Sequence, residues 1–564
     1  MKKRLLMRTT AALLATVASA VHAQQAIPSP GQLVPKPDDS PRLPAVAPPS
    51  PLPSPALAPP GAADVVVTLG QVELDGDVID GVPAVQDVLA SLRGRTVRVS
   101  DVYDAASRIE RAYVEQGWFL TRVVVPPQQF AQGGVLRLQV VAGRIESVDV
   151  SAVPPRRRER VAELLRRLVE QAPLSRHEFE RRLLLAAGLP GLALTSALMP
   201  GERPGRVRLV VEGIDRGVES QLSLDNALPP ALGRTSAQLS ASGSMSGDRD
   251  ESWGLLGAAV DRLLGPGSSP RQIVEGGTLV GIGDDGDQVG ASLVLSDTRP
   301  SLPAWELQTR SDFSRYSLKQ RSVPVLSRTD AATSQFSFDV QQERQVATQF
   351  GVPLYDDRLS IIRWAGSWLH QGPDTSMQLG VDLARGVHAL GSRGHAQATS
   401  ADPVSQGGAS DVFFKAEEHL VLQGAPAPGW WSTLSARAQQ TPAPLMASEK
   451  FVAGGPDDVS AYDSGAFSGD RGWQWRAELE RRTGSLRAYI FAAHVRTWTL
   501  QATSAERSRA SASAVGVGVR LRVGGGGIGA GPVGVNLEFA GRPAARASDG
   551  AGAQAFNVSV VTAF

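Results

Sequence analysis

From residue 216 to residue 564 the chain shows no sustained helical period. Short segments alternate apolar and polar residues between turns of Gly, Pro, Asp and Ser. Trp473, Trp475, Ala477 and Leu479 alternate with Gln474, Arg476, Glu478 and Glu480. Val515, Val517, Val519, Leu521 and Val523 alternate with Gly516, Gly518, Arg520 and Arg522, and Phe556, Val558, Val560, Thr562 and Phe564 alternate with smaller or polar neighbours. A period of two puts one face of each strand in an apolar medium and the other in a polar one. No run of about 18 apolar residues occurs, so no helix is built to span a bilayer. The mean hydropathy of −0.10 is what alternation produces, because each apolar residue is averaged with a polar neighbour.

A soluble β-sandwich has the same period, and three features separate the two. The inward positions carry charge (Arg476, Glu478, Glu480, Arg520, Arg522), which a dry core rejects and a water-filled lumen accepts. Sixteen strands over 349 residues leave about 22 per strand and connection, suiting membrane strands of ~9–11 residues with turns and some long loops. The last segment ends on an aromatic, Phe564, with Phe556 on the same face. The expectation is a closed membrane β-barrel of about sixteen antiparallel strands over 216–564. Lipid offers backbone groups no water, so a spanning structure must be a helix or a closed sheet.

The front of the chain is organised differently. Lys2, Lys3, Arg4 and Arg8 precede an apolar stretch from Thr9 to Val21, and Ala23 closes it, as in a cleaved export signal over 1–23. Residues 24–62 contain 13 prolines and read as an extended linker with no helical window. Two α/β units follow, over 64–143 and 144–214. In the first, strand segments at Val65–Leu69 and Gln71–Leu74 precede a helix over Val82–Leu92 and a longer one capped by Ser100, with Val102, Ala106, Ile109 and Tyr113 on one face. Gly117 ends that helix, and strands at Thr121–Val125 and Val135–Val141 close the unit. The second repeats the order: strand 145–150, helix 156–171, a helix capped by Ser175 with Glu178, and strands 192–199 and 206–211. The basic run Arg156-Arg157-Arg158-Glu159-Arg160 opens a helix and reads as a solvated end, or as a contact for an acidic substrate or lipid headgroups.

Gly117-Trp118-Phe119-Leu120-Thr121-Arg122-Val123, followed by Val140-Val141-Ala142-Gly143-Arg144-Ile145, resembles a POTRA domain of two-partner secretion transporters, the outer-membrane TpsB proteins of the ShlB/FhaC/HecB type. The resemblance covers essentially the whole chain after the signal. It implies two periplasmic POTRA domains, a sixteen-stranded barrel in the Gram-negative outer membrane, and export of a large partner protein that crosses unfolded. Trp118, Phe119 and Arg122 become candidate substrate contacts, with the two aromatics core candidates first. Outer-membrane lipids, the barrel-assembly machinery (through Phe556 and Phe564) and periplasmic chaperones become expected partners.

A second stretch resembles the family's long sixth loop, which folds back into the lumen. It contains Gly454, Gly455, Pro456, Val459, Ser460, Ala461, Tyr462 and Asp463, then Gly469, Asp470 and Arg471, within 451–472. In the family an arginine of this loop pairs with an aspartate of a phenylalanine-x-aspartate motif on the barrel wall. Here Ser460 stands at the arginine position, Ala461 at the following glycine, and Phe491-Ala492-Ala493 puts Ala493 at the aspartate. Loss of both partners is coherent, because stripping one from a buried pair costs roughly 3–5 kcal/mol whereas losing both can be neutral. The expectation is a lumenal loop held by Tyr462, Asp463 and Asp470, more mobile than in the family and in a leakier pore. The family's pore-plugging helix is not expected in 24–62.

Other chemistry finds little support. The chain has no cysteine, which excludes disulfides, thiol nucleophiles and thiolate metal sites. Fifty-seven basic and 56 acidic residues leave no global charge for nucleic acid. Gly529-Ala530-Gly531-Pro532-Val533-Gly534 is followed by a strand pattern rather than the helix a dinucleotide site needs. The histidines have no metal-ligand spacing, and no nucleophile elbow occurs. No enzyme, cofactor or metal is expected. Alternatives to secretion are a barrel-assembly factor inserting other outer-membrane proteins, and a degenerate, non-transporting pore.

Overall fold

The computed structural model describes residues 28–33, 43, 58–129, 134–203, 205–245, 251–260, 270–504, 506–524, 531–543 and 554–564. The export signal and most of the proline-rich stretch lie outside the described residues. The first α/β module comprises β1 (Val66–Gly76), α1 (Pro83–Leu92), β2 (Thr96–Arg98), α2 (Val99–Glu115), β3 (Arg122–Val124) and β4 (Gly134–Val141). Its sheet runs β2-β1-β4-β3, with β1 parallel to β4. The apolar face of α2 (Val102, Ala105, Ala106, Ile109, Tyr113) packs with Val85, Val88 and Leu89 of α1 over Leu136, Leu138 and Val140.

The second module repeats the plan with β5 (Arg144–Ala152), α3 (Pro155–Arg166), α4 (Arg176–Ala187), β6 (Leu192–Pro200) and β7 (Arg206–Asp215), in the order β5-β7-β6. Again the last strand is central and parallel to the first. Two expected boundaries move. Ser100 does not cap α2: pairing of β2 with β1 keeps the chain extended to Arg98, whose N–H donates to the Asp101 carboxylate at 2.9 Å. Helix α3 stops at Arg166 rather than running to 171, because Val169 forms a parallel bridge to Ile145 and Glu170 N–H donates to Ile145 O. Ser175 does cap α4, accepting from Glu178 N–H at 3.1 Å.

The barrel strands are β8 (Glu219–Asp225), β9 (Ser236–Gly243), β10 (Ser252–Val260), β11 (Arg271–Ile282), β12 (Asp287–Thr298), β13 (Thr309–Leu326), β14 (Asp330–Ala347), β15 (Val352–Gln371), β16 (Thr375–Val387), β17 (Phe414–Gly424) and β18 (Trp430–Gln440). A small hairpin, β19 (Phe451–Ala453) and β20 (Phe467–Gly469), stands apart from the wall. The wall then continues through β21 (Arg471–Thr483), β22 (Leu486–Trp498), β23 (Arg509–Val523), β24 (Val533–Gly541) and β25 (Gln554–Ala563). Sixteen antiparallel strands close where β25 pairs β8. Ser220 and Phe564 complete that seam by exchanging backbone hydrogen bonds of 3.0 and 2.9 Å. Leu255, Val274, Leu295, Phe336, Ile362, Val517, Phe539 and Phe556 are exposed on the outer surface, as a lipid-facing wall requires.

The second module sits on the rim. The β11–β12 turn presents Asp284 and Asp285 to four arginines of α3, α4 and the segment between them. Arg160 bonds Asp284 at 3.0 Å and the Gly283 carbonyl at 2.6 Å, and Arg182 reaches Asp285 and the Asp284 carbonyl at 2.7 Å each. Arg167 pairs with Asp285 at 3.1 Å, and Arg181 donates to its carbonyl at 2.9 Å. Leu184 and Leu185 pack beside this clasp against Val323, Leu326 and Ala331. The basic run is a solvated helix end only in part: Arg156, Arg158 and Glu159 are exposed, whereas Arg157 is buried against the Pro190 carbonyl and Arg160 against the barrel turn. The Arg182 hydrogen bond, helped by Arg167, holds the Asp285 carboxyl below its ordinary value of 3.8. A depressed carboxylate stabilises the clasp above that ordinary value and loses its contribution as pH falls through the lower, folded-state value. Asp284→Asn/Asp285→Asn should broaden spin-label distances between α4 and the barrel at neutral pH. The wild type should keep one narrow distance from pH 8 to about pH 5 and broaden only in stronger acid.

Candidate functional site: the lumen and its loop

The inner wall is polar where the strands expect a lumen. Glu478 and Glu480 of β21 pair with Arg520 of β23 at 2.8 and 3.2 Å, and Arg482 pairs with Glu480 at 2.6 Å. Inward glycines make room for inward rings: a Cβ at Gly516 would lie 2.5 Å from Phe491, and one at Gly518 would lie 2.2 Å from Tyr489. Those rings stand directly across β22–β23 from them. Arg522, expected inward with this group, is exposed near the strand end.

The connection from β18 to β21 folds into this lumen and is held at several points. Ser460 is buried. Its hydroxyl accepts from Arg476 of β21 at 3.2 Å, and its carbonyl accepts from Asn557 of β25 at 2.9 Å. Arg476 in turn bonds Glu538 of β24 and Glu478 at 2.8 Å, and its guanidinium lies 3.8 Å over the Phe491 ring. Arg476 stands directly opposite Ala493 in the β21–β22 register. The guanidinium expected at loop position 460 is thus supplied from the wall, beside the place of the missing aspartate. Ala493 itself packs with Val459 and Ala461 of the loop.

A second anchor has the opposite polarity. Glu449 of the loop is buried, accepting from Arg363 of β15 at 2.6 Å, Lys415 of β17 at 2.9 Å and Gln341 of β14 at 2.9 Å. Arg363 also bonds Asp339 at 2.6 Å, so the two cations and two carboxylates balance. Of the expected holding residues, Tyr462 packs edge-on to Phe467 and lies under Arg542, 4.0 Å from its ring centroid. Asp470 accepts from Leu445 N–H at 2.7 Å and Leu500 N–H at 2.6 Å. Asp463 contributes its carbonyl to the Ala466 N–H within the loop. Gly454 and Gly455 turn with φ of 119° and 94°, which favours glycine. Pro456 lies in the turn between them and Asp458, whose N–H donates to Gly455 O. Gly469 ends β20 against β22, and Arg471 is exposed, its Nε donating to Thr441 O at 2.7 Å. The loop is anchored on opposite walls, at Ser460 and at Glu449.

The segment 28–33 also lies inside the barrel. Ser29 Oγ and Gly31 N–H each donate to Glu343 of β14 at 3.2 Å, and Gln32 Nε2 bonds Ala447 O and Ser468 Oγ of the loop at 2.8 and 3.0 Å. Arg271 of β11 bonds the Leu33 carbonyl. Among the described residues of the proline-rich stretch, Gly31–Leu33 forms a short 3₁₀ turn, and segment 28–33 lies between wall and loop. Sequence reasoning placed Arg476 on the inner wall through the alternation but did not assign it to the loop, and it missed Glu449, Glu538 and Glu343.

In the first module Trp118 packs against that module's core, while Phe119 reaches the second module's core and meets Phe179 at 5.1 Å. Arg122 pairs with Glu110 at 3.3 Å. All three are engaged in joining or closing the modules.

A closed sixteen-stranded barrel, with a loop folded into its lumen and α/β modules on one rim, defines the class of POTRA-bearing outer-membrane barrels. Residues 304–521 match the family model of the haemolysin secretion/activation protein ShlB/FhaC/HecB, and residues 67–143 match the ShlB-type POTRA domain. No curated protein matches the chain. Among solved structures, it is similar to CdiB from Escherichia coli at 15% identity, covering 100% of this chain and 98% of that one with a TM-score of 0.68. It is similar to CdiB from Acinetobacter baumannii at 12% identity, with the same coverage and a TM-score of 0.59. BamA from Haemophilus ducreyi lacking POTRA domains 1–3 matches at 11% identity, covering 88% of this chain and 100% of that one with a TM-score of 0.51. The chain belongs to the ShlB/FhaC/HecB family, the TpsB-type two-partner secretion transporters of the outer membrane.

Arg476→Gln leaves Glu538 buried without its guanidinium and should destabilise the barrel by about 3–5 kcal/mol, whereas Arg476→Gln/Glu538→Gln should recover most of it. The midpoint of heat-modifiable mobility reads both. Ser460→Arg sets a second guanidinium beside the first and should raise conductance in planar bilayers, and adding Ala493→Asp should lower it again. In Gly31→Val, the new Cβ starts 2.6 Å from the Glu343 carboxylate and 2.9 Å from Phe313. It should expel the segment and raise conductance with the loop intact.

Proposed function

We propose that the modules face the periplasm, receive one large TpsA-like exoprotein in unfolded form, and pass it through the lumen to the cell surface. The observation that carries this reading is the filling of the lumen. Segment 28–33 and the loop are tied to the wall by hydrogen bonds and ion pairs as well as by apolar packing of Val459, Ala461, Leu445 and Met446, and the polar ties are contacts that an arriving polar chain can replace one at a time. An apolar plug would have to be extracted whole. The sheet order leaves β6 as an edge of the second module. An extended segment can add to such an edge through main-chain hydrogen bonds, which need no particular sequence. No nucleotide is required in this scheme, since folding of the partner outside makes passage directional. Periplasmic chaperones and the barrel-assembly machinery act on the transporter's own biogenesis, the latter through the β25 end with Phe556 and Phe564.

Deletion of the gene should remove one large protein from the cell surface and accumulate it in the periplasm, while unrelated outer-membrane barrels keep their levels. Surface proteomics with periplasmic immunoblotting reads both. A general fall in outer-membrane barrels would instead identify an assembly factor, and an unchanged surface would identify a non-transporting pore.

A further inference from the structure

The outward face of β21–β23, at the ends away from the modules, is not apolar. Three cross-strand rows stand there: Arg471–Trp498–Arg509, Trp473–Arg496–Ser511 and Trp475–His494–Ser513. The next rows, Ala477–Ala492–Val515 and Leu479–Ile490–Val517, are entirely apolar. The direction is set by the intervening residues: Phe491, Ala493, Val495, Ala512 and Ala514 pack inward with the lumenal loop.

The polar rows hold three arginines and a histidine. Among the described residues, none of Arg471, Arg496 and Arg509 has a carboxylate partner. Arg496 lies over the Trp498 ring at 5.3 Å, and its Nε is buried without a hydrogen-bond acceptor. His494 stacks on Trp473 at 5.2 Å and lies 2.7 Å from Ser513 Oγ and 3.2 Å from Ser511 Oγ. Depth sharpens the point. On the opposite rim Arg481, cross-strand from Ala488, lies over Trp430 at 5.3 Å. From Ala488 to Arg496 is eight residues, or about 27 Å of strand and about 21 Å along the membrane normal at a tilt of ~40°. A barrel's apolar band is about 25 Å tall. Arg496 therefore sits at the boundary between acyl chains and headgroups. An uncompensated cation at that depth is costly, and a lipid phosphate is the counter-charge present there.

We propose that this face is a binding site for the phosphate-bearing glycolipid of the outer leaflet. Arg496 and Arg509 hold the phosphate, His494 and Ser511 lie beside it, and Trp473 and Trp498 flank the headgroup at the interface. The site rests on the orientation proposed above, with the modules in the periplasm. Its occupant also steadies the three strands whose inner faces carry the loop contacts.

The test uses full-chain protein, delipidated in detergent, with the midpoint of heat-modifiable mobility followed as lipid is added. Diphosphorylated lipid A should raise the midpoint of the wild type, and dephosphorylated lipid A or phosphatidylglycerol should not. Arg496→Gln/Arg509→Gln should keep the lipid-free midpoint and bind diphosphorylated lipid A more weakly, by about tenfold for each arginine lost. An equal rise in the double variant, or an equal rise with phosphatidylglycerol, overturns the proposal. The assay contains no exported partner, so it stands or falls independently of the secretion reading.

Discussion

Closure of the sheet is the constraint from which the rest follows. In a bilayer an open edge leaves a row of unpaired N–H and C=O groups, each costing several kcal/mol. The strand that ends the chain must therefore meet the strand that begins the barrel. It does so through five registered pairs between β25 and β8, the fewest of any neighbouring pair in the described wall, supplemented by the mutual Ser220–Phe564 hydrogen bonds. Once closed, the wall has an inside and an outside. Every period-two strand then sorts its residues between lipid and lumen.

A polar lumen is a place where charges must be matched but need not be matched in one way. The loop is held where a guanidinium, a carboxylate and an aromatic ring converge. Here the guanidinium hangs on β21, the carboxylate on β24 and the ring on β22, with the loop contributing a hydroxyl and a carbonyl. Electrostatics constrains the positions of the charges, not the chain segment that bears them. The second anchor makes the same point with inverted sign, since the loop there supplies the carboxylate and the wall the cations.

The barrel and both α/β modules were legible because each rests on periodicity, which is local. The alternation of Trp473 to Glu480 gave the inward set, and Arg476, Glu478, Glu480 and Arg520 do form a lumenal network. The site was less legible. The absence of charge at Ser460 and Ala493 is visible in the residues themselves, but its compensation by Arg476 depends on a register between strands. Glu449 lies in a loop with no periodic signature, and its partners sit on strands 34 to 108 positions away in sequence. Arg156–Arg160 looked like a solvated helix end because the barrel turn that buries Arg160 is over a hundred residues downstream.

By itself the sequence determined the class of structure: a chain with no long apolar run, no helical period after 216 and alternation with charged inner positions can satisfy its backbone in a membrane only by closing. It also determined that the two front modules have one plan, because helix faces and caps are properties of neighbouring residues. Only the tertiary structure decided what occupies the lumen, which charges hold it there, and that the second module grips the rim through Asp284 and Asp285. Those outcomes depend on which side chains meet across strands, and pairing is a property of the closed sheet rather than of any segment in it.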